Sequence, residues 1–251
     1  MSNHLRSDVA HRVLSLLDLT ELSEDCSDDD VKRLCIRAAG GPVNVAAVCV
    51  WPSFVALASS HLAGTGIPIA AVANFPHGGT DVTGVLAEVR RAELDGADEI
   101  DVVMPYHAFL DGDRSMAETM LYEVRAAVDP PHRMKVILET GRLCEPALIA
   151  DAAALAIDTG ADFVKTSTGK IDVSATPESV AAILAVIKER GGTVGIKPSG
   201  GIRTLEQASS YLTLADEVMG SDWISPATFR FGASALYDDL LATISAATGS
   251  P

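Results

Sequence analysis

Short apolar runs rich in Val and Ile recur along this chain, and longer stretches of helical period separate them. The runs cover 16–20, 46–51, 69–75, 99–104, 135–140, 162–168, 193–197 and 229–234. Helices are expected near 28–39, 53–64, 82–95, 116–128, 146–159, 178–190 and 204–220, with one more after 234. Start signals mark several of them. Ser115 with Glu118 and Thr204 with Gln207 have capping-box spacing, and Thr176-Pro177 reads as an N-cap followed by the first helical residue. Eight strands alternating with eight helices in about 250 residues is the pattern of a (β/α)8 TIM barrel. A doubly wound sheet is the next reading, and the run at 16–20 is the least strongly marked. No linker divides residues 1–251, so one domain is expected, with 1–8 and 246–251 as flexible ends.

Composition narrows the class. Of the 251 residues 48% are apolar, enough for a large core, and their recurrence throughout excludes a disordered chain. The 19 Lys+Arg against 34 Asp+Glu leave a net charge of −15, so no nucleic-acid partner is expected. Residues 1–8 lack the apolar centre of a secretory signal, and no apolar run of about 18 residues offers a membrane span. Cys26, Cys35, Cys49 and Cys144 form no C-x-x-C pair and read as free thiols, which points to the cytoplasm.

Charge interrupts three of the strands. Lys165 alternates with Val164, Lys197 with Ile196, and Asp101 with Ile100 and Val102, so each charged residue faces away from its apolar neighbours and into the barrel. One inward lysine is explained by pairing with an acid or by snorkelling out at the strand end. Two lysines and an aspartate on separate strands, each near the C-terminal end, need a shared reason, and that end is where barrel enzymes keep their active sites. An ordinary lysine, with a pKa of about 10.4, is neutral about once in 2,500 molecules at pH 7, so making it a nucleophile costs about 4.6 kcal/mol. Burial and a second ammonium both oppose the charged form, which activates a lysine to attack a carbonyl and form a Schiff base. Asp101 is placed to move protons on and off the intermediates.

Glycines gather at the same end. Thr168-Gly-Lys170 follows the Lys165 strand, Pro198-Ser-Gly-Gly201 follows the Lys197 strand, and Phe231-Gly-Ala-Ser234 opens the last helix. Each alone is an ordinary turn. Together they allow backbone N–H groups to approach an anion beside a helix N-terminus, where barrels commonly hold phosphate.

The blocks Asp18-Leu-Thr20, Ala47-Val-Cys-Val-Trp-Pro52, Asn74-Phe-Pro-His-Gly78, Glu99-Ile-Asp-Val-Val-Met-Pro105, Phe163-Val-Lys-Thr-Ser-Thr-Gly-Lys170 and Gly195-Ile-Lys-Pro-Ser-Gly-Gly-Ile-Arg203 occur in this order. The chain thereby resembles the 2-deoxyribose-5-phosphate aldolases, class I aldolases on a (β/α)8 barrel, from about Asp18 to Leu236. The resemblance implies reversible cleavage of 2-deoxy-D-ribose 5-phosphate to D-glyceraldehyde 3-phosphate and acetaldehyde. It implies Lys165 as the imine-forming lysine, Lys197 as the lysine that perturbs it, and Asp101 as the proton-transfer residue. Asp18 would help position Lys197 or the proton relay. Gly169, Lys170, Gly200, Gly201, Gly232 and Ser234 match phosphate-binding positions, and Thr20 and Thr168 match residues lining the sugar. No metal or organic cofactor is implied, and a homodimer is.

Two positions depart from the family. Many relatives carry a second serine where this chain has Ala235, so a backbone N–H has to serve there. Some relatives end in a tail with a terminal tyrosine, whereas the last tyrosine here is Tyr237, which would make proton transfer at the nucleophilic carbon slower or leave it to water held near Asp101. Other signals are weaker. Gly169-Lys170 is followed by Ile171, not by the Ser or Thr of a P-loop. His61, His77 and His107 lack metal-ligand spacing, Cys49 reads as a small core residue near the site, and Arg203 faces either the phosphate or a surface acid. A class I aldolase for another phosphorylated aldol, and a barrel that binds sugar phosphates without catalysis, remain open beside the main reading.

Overall fold

The computed structural model describes residues 3–248. The apolar runs form β1 (Leu17–Glu21), β2 (Ala47–Val50), β3 (Ile69–Ala73), β4 (Glu99–Val103), β5 (Arg133–Ile137), β6 (Phe163–Lys165), β7 (Gly195–Lys197) and β8 (Phe231–Ala233). All pair in parallel in the order β7-β6-β5-β4-β3-β2-β1-β8. Single bridges from Ile196 to Phe229 and from Ser199 to Gly232 join β7 to β8 and close the ring. The chain is the expected (β/α)8 barrel.

Two apolar layers result from the period of two along each strand. Leu17, Leu19, Val48, Val50, Ile100, Val102, Val136, Val164 and Ile196 face outward into the large core shared with the helices. Inside the ring, Leu22, Cys49, Ala70 and Val72 form a separate small cluster capped by Trp51 and Phe75. These small side chains on β2 and β3 leave the interior to long residues from the other strands. Gly195 makes room for the Phe163 ring, since a Cβ there would sit 2.3 Å from it. Gly232 does the same beside Lys197, where a Cβ would lie 2.6 Å from Ser199 Oγ and 3.1 Å from Lys197 Cε.

The helices are α1 (Asn3–Ser15), α2 (Asp28–Gly40), α3 (Val55–Leu62), α4 (Val82–Leu94), α5 (Tyr106–Leu110), α6 (Arg114–Ala127), α7 (Thr140–Leu143), α8 (Pro146–Asp158), α9 (Pro177–Glu189), α10 (Leu205–Met219) and α11 (Leu236–Thr248). Thr176 and Thr204 cap α9 and α10 as expected, each in a reciprocal capping box. The box expected at Ser115 and Glu118 is absent. Asp113, one turn position earlier, accepts the Met116 N–H and starts α6 at Arg114, while Ser115 Oγ donates to Asp113. Residues 3–8, expected within a flexible end, belong to α1, which packs on α11 and pairs Arg6 with Glu206 and Arg12 with Asp216. Of the expected flexible segment 246–251, residues 246–248 close α11, and 249–251 lie outside the described residues. No described helix is long and apolar enough to cross a membrane.

Candidate active site

Strand register brings the charged interior together. Asp101 on β4 sits opposite Lys135 on β5, and Lys165 on β6 sits opposite Lys197 on β7. Asp101 Oδ2 accepts from Lys165 Nζ and Lys197 Nζ, each at 2.8 Å, and its Oδ1 accepts from Lys135 Nζ at 2.8 Å. Lys197 also reaches Asp18 Oδ2 at 2.5 Å, and Lys135 pairs with Glu99. Arg230 closes the ladder below, donating to Asp18 at 2.6 Å and to Glu99 at 3.2 Å. Four cations therefore face three carboxylates, and the cluster carries one positive charge when all are ionised.

Burial of charge on this scale is tolerated only when partners outweigh desolvation. Burial pushes the Asp101 carboxyl upward, but Lys135, Lys165 and Lys197 reverse this and hold it well below the usual carboxylate range. Burial also opposes ionisation of Asp18, and Lys197, Arg230 and Lys135 overcome it. Desolvation works against the Lys197 ammonium, yet Asp101 and Asp18 raise its pKa above the ordinary lysine value. Lys135 is raised in the same way, by Asp101 and Glu99 against burial. Lys197 and Lys135 are thus fixed cations. Their side chains are 0% exposed, whereas Lys165 keeps 3%, so Lys165 is the amine that a small carbonyl can reach. Cys49 Sγ lies 3.9 Å from Asp101 Oδ2, and burial pushes its thiol up, away from the nucleophilic thiolate.

A cavity of about 500 Å³ opens beside this cluster at the C-terminal ends of the strands, between segments 20–23, 168–170, 199–203 and 232–235. It collects Thr20, Thr168, Gly169, Lys170, Gly200, Gly201, Gly232 and Ser234, together with Arg203. Several of these serve differently from what the sequence implies. Gly232 N–H is spent on Pro198 O, and Gly200 N–H reaches Gly232 O at 3.4 Å, so these two glycines supply space, not donors. Thr20 Oγ1 donates to Asp18 O, and Thr168 Oγ1 donates to Glu139, so neither hydroxyl has a proton left for a ligand. Lys170 Nζ crosses the cavity rim to Leu22 O at 2.6 Å. Among the described residues no hydrogen bond engages the N–H of Gly201, Ile202, Ser234 or Ala235, which leaves donors at the cavity wall ahead of α10 and just before α11, the kind of place where an anion binds. The neighbouring cavity, of about 550 Å³, is lined by Trp51, Phe54, Phe75, Glu24 and Glu88 and by no Lys or Arg, whereas the first carries Lys170 and Arg203 and so suits an anionic group better.

Lys135, Glu99, Arg230 and Glu139 escaped the sequence reading. The first three lie two residues from, or in register with, Asp101 and Gly232, so the period of two places Glu99 and Arg230 inside once those are inside. Tyr237 OH donates to Arg37 O on the outer helices and has no part in the cluster.

A family model for the DeoC/LacD family aldolases matches residues 12–238. A deoxyribose-phosphate aldolase of Agrobacterium fabrum is 49% identical over 235 residues, which is 93% of this chain and 91% of that protein. A solved Toxoplasma gondii protein, provisionally assigned as a deoxyribose-phosphate aldolase, superposes with a TM-score of 0.90 at 25% identity, covering 98% of this chain and 97% of the other. The deoxyribose phosphate aldolase of Aeropyrum pernix, solved as a tetramer, shares the fold at a TM-score of 0.76 and 24% identity, covering 98% and 99%.

Proposed function

The chain belongs to the DeoC/LacD family of aldolases, and from that premise we propose that it cleaves 2-deoxy-D-ribose 5-phosphate reversibly to D-glyceraldehyde 3-phosphate and acetaldehyde. The observation that carries the reading is Lys165, the one cluster amine with any exposure, which shares the Asp101 carboxylate with Lys197 while the loop that follows it, Thr168 to Lys170, lines the cavity at the C-terminal ends of the strands.

Deprotonated Lys165 attacks C1 of the open-chain sugar, and the carbinolamine hydroxyl leaves as water on taking up the proton that Lys165 gave up, which forms the iminium. Losing one proton from Lys165 makes the seven-residue cluster neutral, with Lys197 and Lys135 kept as ammonium groups. Ionised Asp101 is the base of the resting site; it takes the C3 hydroxyl proton as the C2–C3 bond breaks, and the electron pair passes into the iminium to give the enamine. D-Glyceraldehyde 3-phosphate leaves. Asp101, now protonated, returns the proton to C2, and hydrolysis of the imine frees acetaldehyde and Lys165. Lys197 stabilises the carboxylate form between these steps. The free N–H groups at 201–202 and 234–235, with Arg203 and Lys170, hold the 5-phosphate. Asp18 positions Lys197. The enzyme acts as a cytoplasmic homodimer, which sedimentation at micromolar concentration tests.

Borohydride reduction in the presence of acetaldehyde, followed by intact-mass and peptide analysis, is the direct test. An ethyl adduct on Lys165 with loss of activity is expected. An adduct on another lysine overturns the site, and no adduct at all overturns the class I mechanism. A barrel that only binds sugar phosphates has no use for a reactive amine and gives the second result.

A further inference from the structure

Glu139 is a buried ionisable group beside the site that the mechanism leaves idle. It is 1% exposed and sits at the C-terminal end of β5 with left-handed backbone angles of φ 56° and ψ 60°, an unfavourable conformation for a residue with a Cβ. Such strain persists where the surroundings over-determine it, and here the surroundings are the loop that follows Lys165. Thr168 N–H donates to Glu139 Oε1 at 3.2 Å and Thr168 Oγ1 to Oε2 at 2.5 Å. The Thr168 hydroxyl then accepts the Lys170 N–H at 3.1 Å, which fixes the turn at Gly169. Burial pushes the Glu139 carboxyl above its ordinary value, and the two Thr168 donors pull it back toward the charged form.

The neighbouring residues support the same clamp. Thr140 N–H donates to Thr166 O at 2.9 Å, and Thr140 Oγ1 meets Ser167 Oγ at 3.2 Å. Gly141 is pressed against the far end of that loop, where a Cβ would lie 2.0 Å from Val173 O. The loop after β5 thus grips the loop after β6 at both ends, with the Glu139 carboxylate at the end that borders the cavity.

We infer that Glu139 is a positioning residue for the phosphate end of the substrate: its carboxylate locks Thr168 so that Gly169 and Lys170 present their part of the cavity wall in one conformation. This rests on the proposed function above for the identity of the substrate. Glu139 touches Thr168 and not the ligand. A glutamine at 139 keeps the volume but replaces one acceptor oxygen with an NH2 group, so the contact to the Thr168 hydroxyl survives only reversed and without the carboxylate charge, and valine at 168 removes it outright.

The test compares kcat/KM for 2-deoxyribose 5-phosphate with that for unphosphorylated 2-deoxyribose in wild type, Glu139→Gln, Thr168→Val and Thr168→Ser. The ratio of the two constants is expected to fall about tenfold in E139Q and T168V and to recover in T168S, with the loss carried mainly by KM of the phosphorylated sugar. Calorimetric binding of inorganic phosphate and glycerol 3-phosphate is expected to weaken in the same order. A ratio and affinity within about twofold of wild type in both E139Q and T168V, or equal losses on both sugars with unchanged phosphate affinity, overturn the inference. A wild-type protein that binds phosphate but cleaves neither sugar refutes the proposed function while the binding series still decides the role of Glu139.

Discussion

Replacing Asp18 by asparagine removes one charge from the buried ladder and almost no volume. Asp18 faces Lys197 at 2.5 Å, Arg230 at 2.6 Å and Lys135 at 3.6 Å, and its side chain is 0% exposed. At an effective dielectric of about 20 each contact is worth about 5–7 kcal/mol of gross attraction, most of it offset by desolvation of the ions. The net loss on breaking such a buried arrangement is about 3–5 kcal/mol, because the partners stay behind uncompensated. In D18N four cations face only Glu99 and Asp101, and the cluster charge rises from one positive to two. Urea denaturation at pH 7 is therefore expected to show D18N less stable by about 3–5 kcal/mol, a large share of a typical domain's stability. The pH dependence fixes the cause. The folded-state pKa of Asp18 lies below its unfolded value of about 3.8, so the stability it contributes is present above that pH and declines as pH falls through the acid range. The gap between wild type and D18N is expected to narrow between pH 4.5 and 2.5. A gap below about 1 kcal/mol at pH 7, or one that stays constant into acid, would refute the charge-ladder account.

Two further substitutions probe the reactive end. Lys165→Arg keeps the charge but presents a guanidinium that cannot form the imine, so turnover below about 10⁻³ of wild type and no borohydride adduct are expected; retained turnover would remove Lys165 from its role. Gly232→Ala places a methyl group 2.6 Å from Ser199 Oγ and 3.1 Å from Lys197 Cε. A stability cost of about 1–3 kcal/mol is expected from overpacking, with kcat reduced more than KM as Lys197 is displaced, and wild-type kcat would show that Lys197 tolerates the shift.

Most of the barrel is legible in the sequence because eight runs of buried residues, each bounded by turns, are a local signal. The ends of the strands are less so: the run at 229–234 contracts to β8 at Phe231–Ala233, since Phe229 and Arg230 make only a bridge and a side-chain network. α1 escaped because its buried face consists of Ser7, Ala10, Val13 and Leu14, a weak stripe among Arg6, Asp8, His11 and Arg12, and it is held by packing on α11 and not by its own pattern. Ser115 looked like a cap because its hydroxyl is one turn from Glu118, but a carboxylate two residues earlier is the better acceptor for the free N–H groups and took the position.

The candidate site divides along the same line between local and non-local information. Lys165, Lys197 and Asp101 stand out because each breaks an apolar strand, and that contrast is written in three or four consecutive residues. Glu99 opens β4, Arg230 precedes β8, and Lys135 follows the charged start of β5 at Arg133, so their charge is unremarkable until the ring is closed. Only the parallel register, which sets Asp101 beside Lys135 and Gly232 beside Asp18, turns them into the charged partners of the proposed catalytic set. Their presence changes the chemistry read from sequence. Two lysines and one aspartate alone would leave the proton on Asp101 undecided. With Lys135 and Lys197 both drawn into carboxylate pairs, the one cluster amine with a single shared carboxylate and an exposed edge is Lys165, and Asp101 is held ionised, as the base of the proposed mechanism requires. In the proposed mechanism the nucleophile is therefore selected less by its own surroundings than by how firmly the other cations of the barrel are held.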